Sequence, residues 1–220
     1  MKTLIVLPAY NEAPVLGRTL VLLRESTDAD ILVVDDGSVD ATGRIARRMR
    51  VGVVRHVVNM GLGAAIKTGF EAAKRGGYDV MVTFDADGQH DPGDIKVLLK
   101  ALRGADVVIG ARTRGIENMP FLKRVGNFAL NMLTGLFFGI FSSDSQSGLR
   151  AFNRIAIESI SIRASKYEVS SEILYEARRN GLRLREVPVE VIYSEHSKAR
   201  GTKVSDGFKI FWRMILHQRC

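Results

Sequence analysis

The sequence predicts an α/β fold in which a mainly parallel central sheet carries helices on both faces. Three observations point to it. Strand-like runs at Thr3–Leu7, Ile31–Val34, Gly52–His56, Val80–Phe84 and Asp106–Ile109 alternate at short spacing with segments of helical periodicity, which is how parallel strands joined by helical crossovers read in sequence. At 220 residues the chain is long enough for one such domain with a real core and short for two. Its most polar motifs follow directly on the strands, where an open α/β sheet places ligands.

The first strand runs into Pro8-Ala9-Tyr10-Asn11-Glu12, a strand-to-helix turn in which Glu12 is placed to cap the next helix. Leu16, Leu20 and Leu23 share one face of that helix. The second strand ends in Asp35-Asp36-Gly37-Ser38. One carboxylate of this pair can accept hydrogen bonds from a base or ribose, and Asp36 or Ser38 can equally cap the following helix. After the third strand, Asn59–Gly69 carries Gly61 and Gly63 into a helix of small residues, Ala64, Ala65, Thr68, Ala72 and Ala73. It lacks the Gly-Lys-Ser/Thr ending of a phosphate loop and the spacing of the dinucleotide fingerprint, so it reads as close helix–sheet packing with Lys67 peripheral.

The fourth strand, Val80–Phe84, leads into Asp85-Ala86-Asp87-Gly88-Gln89. Two hard oxygen donors one residue apart suit Mg²⁺ or Mn²⁺ holding a diphosphate. A solvated acidic turn that caps the helix after Asp91-Pro92 is the plainer alternative. The fifth strand is followed by Gly110-Ala111-Arg112 and, beyond Gly115, Asn118 and Pro120, by Lys123-Arg124. Arginine forks match phosphate oxygens.

The second half is less regular. No charged residue occurs from Val125 to Ser143, yet Asn127, Asn131 and Thr134 form a polar stripe opposite Phe128, Met132 and Leu136, which predicts an amphipathic helix within 121–143, or a core helix. Asp144-Ser145-Gln146-Ser147-Gly148-Leu149-Arg150 follows. The expected catalytic domain spans 1–193. Residues 194–220 form a basic loop and a final amphipathic helix with Val204, Phe208, Phe211, Trp212 and Ile215 on one face and Lys209 and Arg213 on another. Such a helix suits a membrane interface or a partner helix.

Composition narrows the classes. Hydrophobic residues at 46% and charged ones at 25% fit an ordinary globular protein. The only cysteine is Cys220, so no internal disulfide or Cys-based metal site forms. The first apolar run, Leu4–Leu7, is too short for a signal core, and a cytoplasmic location is expected. A net charge of +8 attracts polyanions. No basic-aromatic interleaving or nucleic-acid motif accompanies it, so nucleic acid is not the expected partner.

Taken together, PAYNE, VDDGS, DADGQHDP, GAR and DSQSGLR occur in the order and approximate spacing of the inverting glycosyltransferase family 2. The chain resembles that family over nearly its whole length, closest to the polyprenyl- and dolichyl-phosphate sugar synthases of mannose or glucose type. The resemblance implies a GT-A fold and, in similar enzymes, a nucleotide-sugar donor such as GDP-mannose or UDP-glucose. It maps nucleoside binding to Pro8, Tyr10, Glu12, Val34 and Asp36, and binding of metal and donor diphosphate to Asp85, Ala86, Asp87 and Gln89. Arg112 and Arg124 would hold phosphate groups, and Asp144, Gln146 and Ser147 would line the acceptor end. The stretch HSKARGTK resembles the family's basic closing loop, with Lys198, Arg200 and Lys203 as donor contacts, and is shorter than in mannose synthases. Asp87, Arg112, Arg124 and Asp144 are thus the expected catalytic set.

A lipid monophosphate acceptor is already largely ionised at neutral pH and needs no strong base. The enzyme would work peripherally on the cytoplasmic face of a membrane, by itself or through an anchoring partner. The rival expectations are a soluble hydroxyl acceptor, for which Asp144 would have to act as base, and a non-catalytic nucleotide-sugar-binding subunit. A dinucleotide dehydrogenase is remote, since the first strand ends in PAYNE rather than a glycine fingerprint.

Overall fold

The computed structural model describes residues 1–114, 132, 135, 142–190 and 192. Its chain order is β1 (Thr3–Ala9), α1 (Ala13–Ser26), β2 (Asp30–Asp35), α2 (Thr42–Arg48), β3 (Gly52–Arg55), α3 (Leu62–Arg75), β4 (Val80–Thr83), α4 (Asp94–Ala101) and β5 (Val107–Arg114). Then come β6 (Arg150–Asn153), α5 (Arg154–Ser159), α6 (Val169–Arg179) and β7 (Leu184–Glu190). These strands form one sheet in the order β3-β2-β1-β4-β6-β5-β7. Every pairing is parallel except those of β6, which lies antiparallel between β4 and β5. The predicted mainly parallel α/β sheet of the GT-A type is therefore present.

Alternation along the buried strands splits the core in two. Ile5, Leu7, Val33 and Val82 face Leu16, Leu20 and Leu23 of α1 together with Ile95 and Leu98 of α4. Leu4, Val6, Val34 and Met81 face Ile66 and Phe70 of α3, Ile157 of α5 and Ile173 of α6. The stripe Leu16–Leu20–Leu23 is fully buried, as its helical spacing requires. Small residues on α3 bring it close to the sheet: a Cβ on Gly69 would lie 2.5 Å from Cγ1 of Val6. Gly69→Ala is accordingly expected to destabilise the protein by about 1–3 kcal/mol through overpacking. A lowered urea midpoint with an unchanged slope is the result that checks it.

Two strands were not expected from sequence. The four residues of β6 begin with a charge, and β7 contains Pro188. The proline is tolerated because β7 is an edge strand. Asp106 staples this part of the sheet. It accepts from the backbone N–H of Arg183 at 2.9 Å and from Nδ2 of Asn153 at 2.8 Å, and it pairs with the Arg183 guanidinium. The segments 121–131 and 194–220, with the amphipathic helices expected there, lie outside the described residues. Met132, from the first of those patterns, is described and is exposed.

Candidate active site

Parallel strands end at one edge of the sheet, and an antiparallel strand begins there. The loops after β1, β2 and β4, the end of β5 and the loop entering β6 therefore meet on a single rim. The register makes this concrete, with Pro8 opposite Val34, Val6 opposite Thr83, and Arg150 opposite both Thr83 and Ile109. The motifs dispersed through the sequence are brought together by this one topological fact.

At the β1–β2 end the loops are tied to each other. Asn11 takes a left-handed backbone conformation (φ 55°), donates its N–H to Oγ of Ser38 at 3.0 Å and accepts from the N–H of Val39 at 3.0 Å. Asparagine is among the few residues that adopt this geometry readily. Glu12 stands at the N-cap of α1 but makes no capping bond through its side chain. The cap comes from the neighbouring β2 loop, where Asp40 accepts from the N–H of Ala13 at 3.1 Å. Tyr10 is exposed, Pro8 partly so, and Val34 is fully buried, leaving only its backbone to face the rim.

Asp36 sits in this region with its carboxylate engaged internally. Its Oδ1 accepts from Nδ1 of His56 at 2.7 Å and from the N–H of Met60 at 2.9 Å, while Oδ2 accepts from the N–H of Gly61 at 2.8 Å. It thereby holds the entry to α3, not that of α2, where the capping alternative placed it. His56 continues the chain to Oγ1 of Thr68 at 2.9 Å. Gly61 and Gly63 do serve close packing, against the backbone carbonyls of Ser165 and Ala164 rather than against the sheet.

The turn after β4 holds the two carboxylates. Asp85 is about one-third exposed (34%) and receives a 3.3 Å contact from Nε2 of the buried His90. Burial pushes the Asp85 carboxyl up, but the bond from His90 and the charges of Arg112 and Arg150 outweigh it and hold the group below the usual carboxylate range. Asp87 goes the other way. Burial and then the neighbouring charge of Asp85 raise it to about 6. Gln89 donates both its backbone N–H and its Nε2 to Asp87, at 3.0 and 2.6 Å, so it orients that carboxylate. Ala86 is buried between the two acids. Asp91 accepts from the N–H of Gly93 at 2.8 Å in the turn before α4, but that helix has Gly93 at its N-cap and no side-chain capping bond, so the acidic turn does not cap it as the plainer alternative had it.

Across the cleft, Arg112 grips Asp144. Its Nε and Nη2 reach the two carboxylate oxygens at 2.6 and 2.8 Å, and its backbone N–H adds a third bond at 3.1 Å. Burial raises the Asp144 carboxyl, but Arg112 overcomes that and holds it low. Ser147 is buried and donates to the carbonyl of Gly110 at 2.6 Å, fastening the loop to β5. Gln146 is partly exposed and donates to Oγ of Ser145 at 3.2 Å. Gly148 lies against Asp85, where a Cβ would collide with the carboxylate. Arg124, Lys198, Arg200 and Lys203 fall outside the described residues.

Sequence reading missed three members of this rim: His56, His90 and Arg150. His90 and Arg150 are 3% and 2% exposed. Their one available signal was position, each being the polar end of a motif already singled out. Arg150 donates to the carbonyls of Ser145 and Ser170 at 2.7 and 3.1 Å.

The arrangement is two carboxylates suited to a divalent cation facing an arginine fork suited to an anion. The chain is 39% identical, over 96% of its length and 94% of the relative's, to UDP-N-acetylglucosamine–dolichyl-phosphate N-acetylglucosaminyltransferase of Methanococcus voltae. It is 34% identical to polyprenol monophosphomannose synthase of Mycolicibacterium smegmatis, over 95% of this chain and 85% of that one. A crystal structure of glucosyl-3-phosphoglycerate synthase from Mycobacterium tuberculosis with Mn²⁺, UDP and glucosyl-3-phosphoglycerate superposes with a TM-score of 0.72 at 22% identity, covering 100% of this chain and 80% of that chain. That likeness is one of fold. Residues 4–161 match the model of glycosyl transferase family 2, and the chain belongs to that family as a glycosyltransferase.

Proposed function

We propose that this enzyme moves a sugar from a nucleotide donor to a polyprenyl phosphate, with a divalent cation, Mg²⁺ or Mn²⁺, held by Asp85 and Asp87. The observation that carries the acceptor side is the state of Asp144. A carboxylate held low and gripped at both oxygens by Arg112 is a poor proton acceptor. The pocket offers a cationic fork in place of a base, and that suits an acceptor which is already an anion. The names of the Methanococcus voltae and Mycolicibacterium smegmatis relatives support a lipid-phosphate acceptor.

The residues fit a cation chemically. Asp87 is pushed up to about 6 by burial and by Asp85, an unfavourable pairing that positive charge relieves. When bound, the cation supplies charge to the departing nucleoside diphosphate. Gln89 aims Asp87, and His90 steadies Asp85. The β1 and β2 loops, with Pro8, Tyr10, Glu12 and the backbone of Val34, form the nucleoside end, and Asp36 braces it. Arg112 orients the acceptor phosphate. Its oxygen forms the new bond to the anomeric carbon as the bond to the diphosphate breaks, so no proton has to be removed. Direct displacement inverts the centre, and an α-linked donor gives a β-linked product. The exposed Gln146 belongs to the acceptor wall, which Ser147 pins to β5. Arg124 and the loop bearing Lys198, Arg200 and Lys203 complete the phosphate contacts in this reading.

No helix among the described residues is long and apolar enough to cross a membrane. Attachment is proposed to be peripheral, on the cytoplasmic face, by amphipathic segments or an anchoring partner. The donor is GDP-mannose, UDP-glucose or, by the Methanococcus voltae relative, UDP-N-acetylglucosamine. Radiolabelled forms of all three, offered with a polyprenyl-phosphate extract and Mn²⁺ or Mg²⁺, are expected to give chelator-sensitive label in the lipid phase from one of them. Label appearing only in soluble glycan would sink the lipid reading. Since protons compete with the cation at Asp87, metal affinity is expected to be flat above about pH 7 and to fall up to tenfold per unit below about pH 6. Mn²⁺ titrations followed by water-proton relaxation check the profile.

A further inference from the structure

Arg112, to which the proposed function gives the acceptor phosphate, is paired with Asp144. A carboxylate bound side-on through Nε and Nη2 uses the same two parallel bonds that a phosphate uses. Arg112 is therefore already satisfied, at 14% side-chain exposure, before any acceptor arrives. Beneath it lies Arg150, fully buried. Two of its nitrogens reach the carbonyls of Ser145 and Ser170, but its Nε is buried with no hydrogen-bond partner. An idle buried donor of that kind is costly and calls for a physical reason. Its anchor, the Ser145 carbonyl, belongs to the residue after Asp144, and Asp144 is the charge that interacts with Arg150 most strongly.

We propose that Asp144 is a stand-in for the acceptor phosphate on Arg112, displaced when the acceptor binds, and that Arg150 is the buried cation that receives the displaced carboxylate. This rests on the lipid-phosphate reading given above. The device keeps Arg112 in its binding geometry while the site is empty. It also sets a threshold, because an anion must outcompete a bidentate carboxylate to enter. A phosphomonoester dianion does so; a carboxylate or a singly charged phosphodiester gains little. Arg150 is a positioning residue in this scheme, since it acts through Asp144.

The test is calorimetric binding of farnesyl phosphate, a short lipid phosphomonoester, to the full chain and to Asp144→Asn, Arg150→Met and the double variant. Asp144→Asn is expected to tighten binding about tenfold, because the competitor loses its charge. Arg150→Met is expected to loosen it about tenfold with Asp144 present and to have no effect in the Asp144→Asn background. Thermal melts establish that each variant is folded. Should Arg150→Met not fold, Arg150→Lys replaces it, with a loosening that again vanishes when Asp144 is asparagine. Weaker or unchanged binding by Asp144→Asn, or additive effects in the double variant, overturns the stand-in. If that occurs while the wild type still transfers sugar to farnesyl phosphate, the acceptor reading survives. A wild type that neither binds nor uses farnesyl phosphate but glycosylates a hydroxyl acceptor removes both.

Discussion

Replacing Asp87 with asparagine is expected to abolish sugar transfer and at the same time to raise the melting temperature of the metal-free protein. The two effects share one cause. Burial and the charge of Asp85 lift the folded-state pKa to about 6, against about 3.9 for an unfolded aspartate. The folded state therefore holds the ionised form less readily than the unfolded chain does. The penalty is absent well below pH 4, grows through the interval from about 4 to 6 and is complete above it, with an upper bound of about 3 kcal/mol. Asparagine keeps the shape and an acceptor for Gln89 while removing the charge. At pH 7.5 in chelator the variant should melt a few degrees higher, while turnover falls at least a thousandfold with any metal. A variant that melts lower would show that the carboxylate is structurally needed. One that turns over normally would remove Asp87 from the mechanism.

Gly148→Ala is expected to cost at least a hundredfold in transfer with little loss of stability. The added methyl would fall on the carboxylate of Asp85. The backbone cannot retreat, because the Gly148 carbonyl accepts from Oγ1 of Thr83 at 2.8 Å and the flanking Ser147 and Leu149 are fully buried. Asp85, about one-third exposed, is the group free to swing away. A displacement of this size at a reacting centre is worth about 10²-fold in rate. Apparent Mn²⁺ affinity should weaken alongside, and a titration showing wild-type affinity would mean that Asp85 does not hold the metal in this rotamer. The effect is instructive because Gly148 belongs to the loop entering β6, proposed as the acceptor side, while Asp85 belongs to the turn after β4, proposed as the donor side.

Of the strands that sequence disclosed, β1, β2 and β4 are buried, as in Val80-Met81-Val82, where continuous apolar runs leave little choice, whereas the largely exposed β3 was legible from its place in the alternation. The strands it did not disclose depend on tertiary context. Arg-Ala-Phe-Asn of β6 is a strand because β4 and β5 flank it, and Pro188 is tolerated in β7 because one side of that strand is unpaired. The site shows the same division. Asp85, Asp87, Arg112 and Asp144 were legible as chemistry because each stands in a polar motif beside a strand, after β4, at the end of β5 or ahead of β6. Which of them face each other was not legible. That Arg112 is matched to Asp144, or that Asp36 spends its carboxylate on His56, Met60 and Gly61, depends on contacts between residues far apart in sequence. Burial of His90 and Arg150 could not be read either, since a charged side chain in a loop motif looks alike whether solvated or enclosed.

The antiparallel strand also fixes an order of assembly. The units β1 to β4 are joined by local crossovers and can pair as they emerge during synthesis. Strand β6 must wait until both of its neighbours exist, and the bond between Thr83 and Gly148 closes a loop of 65 residues. The loops after β1 and β2 can thus be organised before the loop entering β6, and the rim on which Asp85 meets Gly148 is complete only once β6 is inserted.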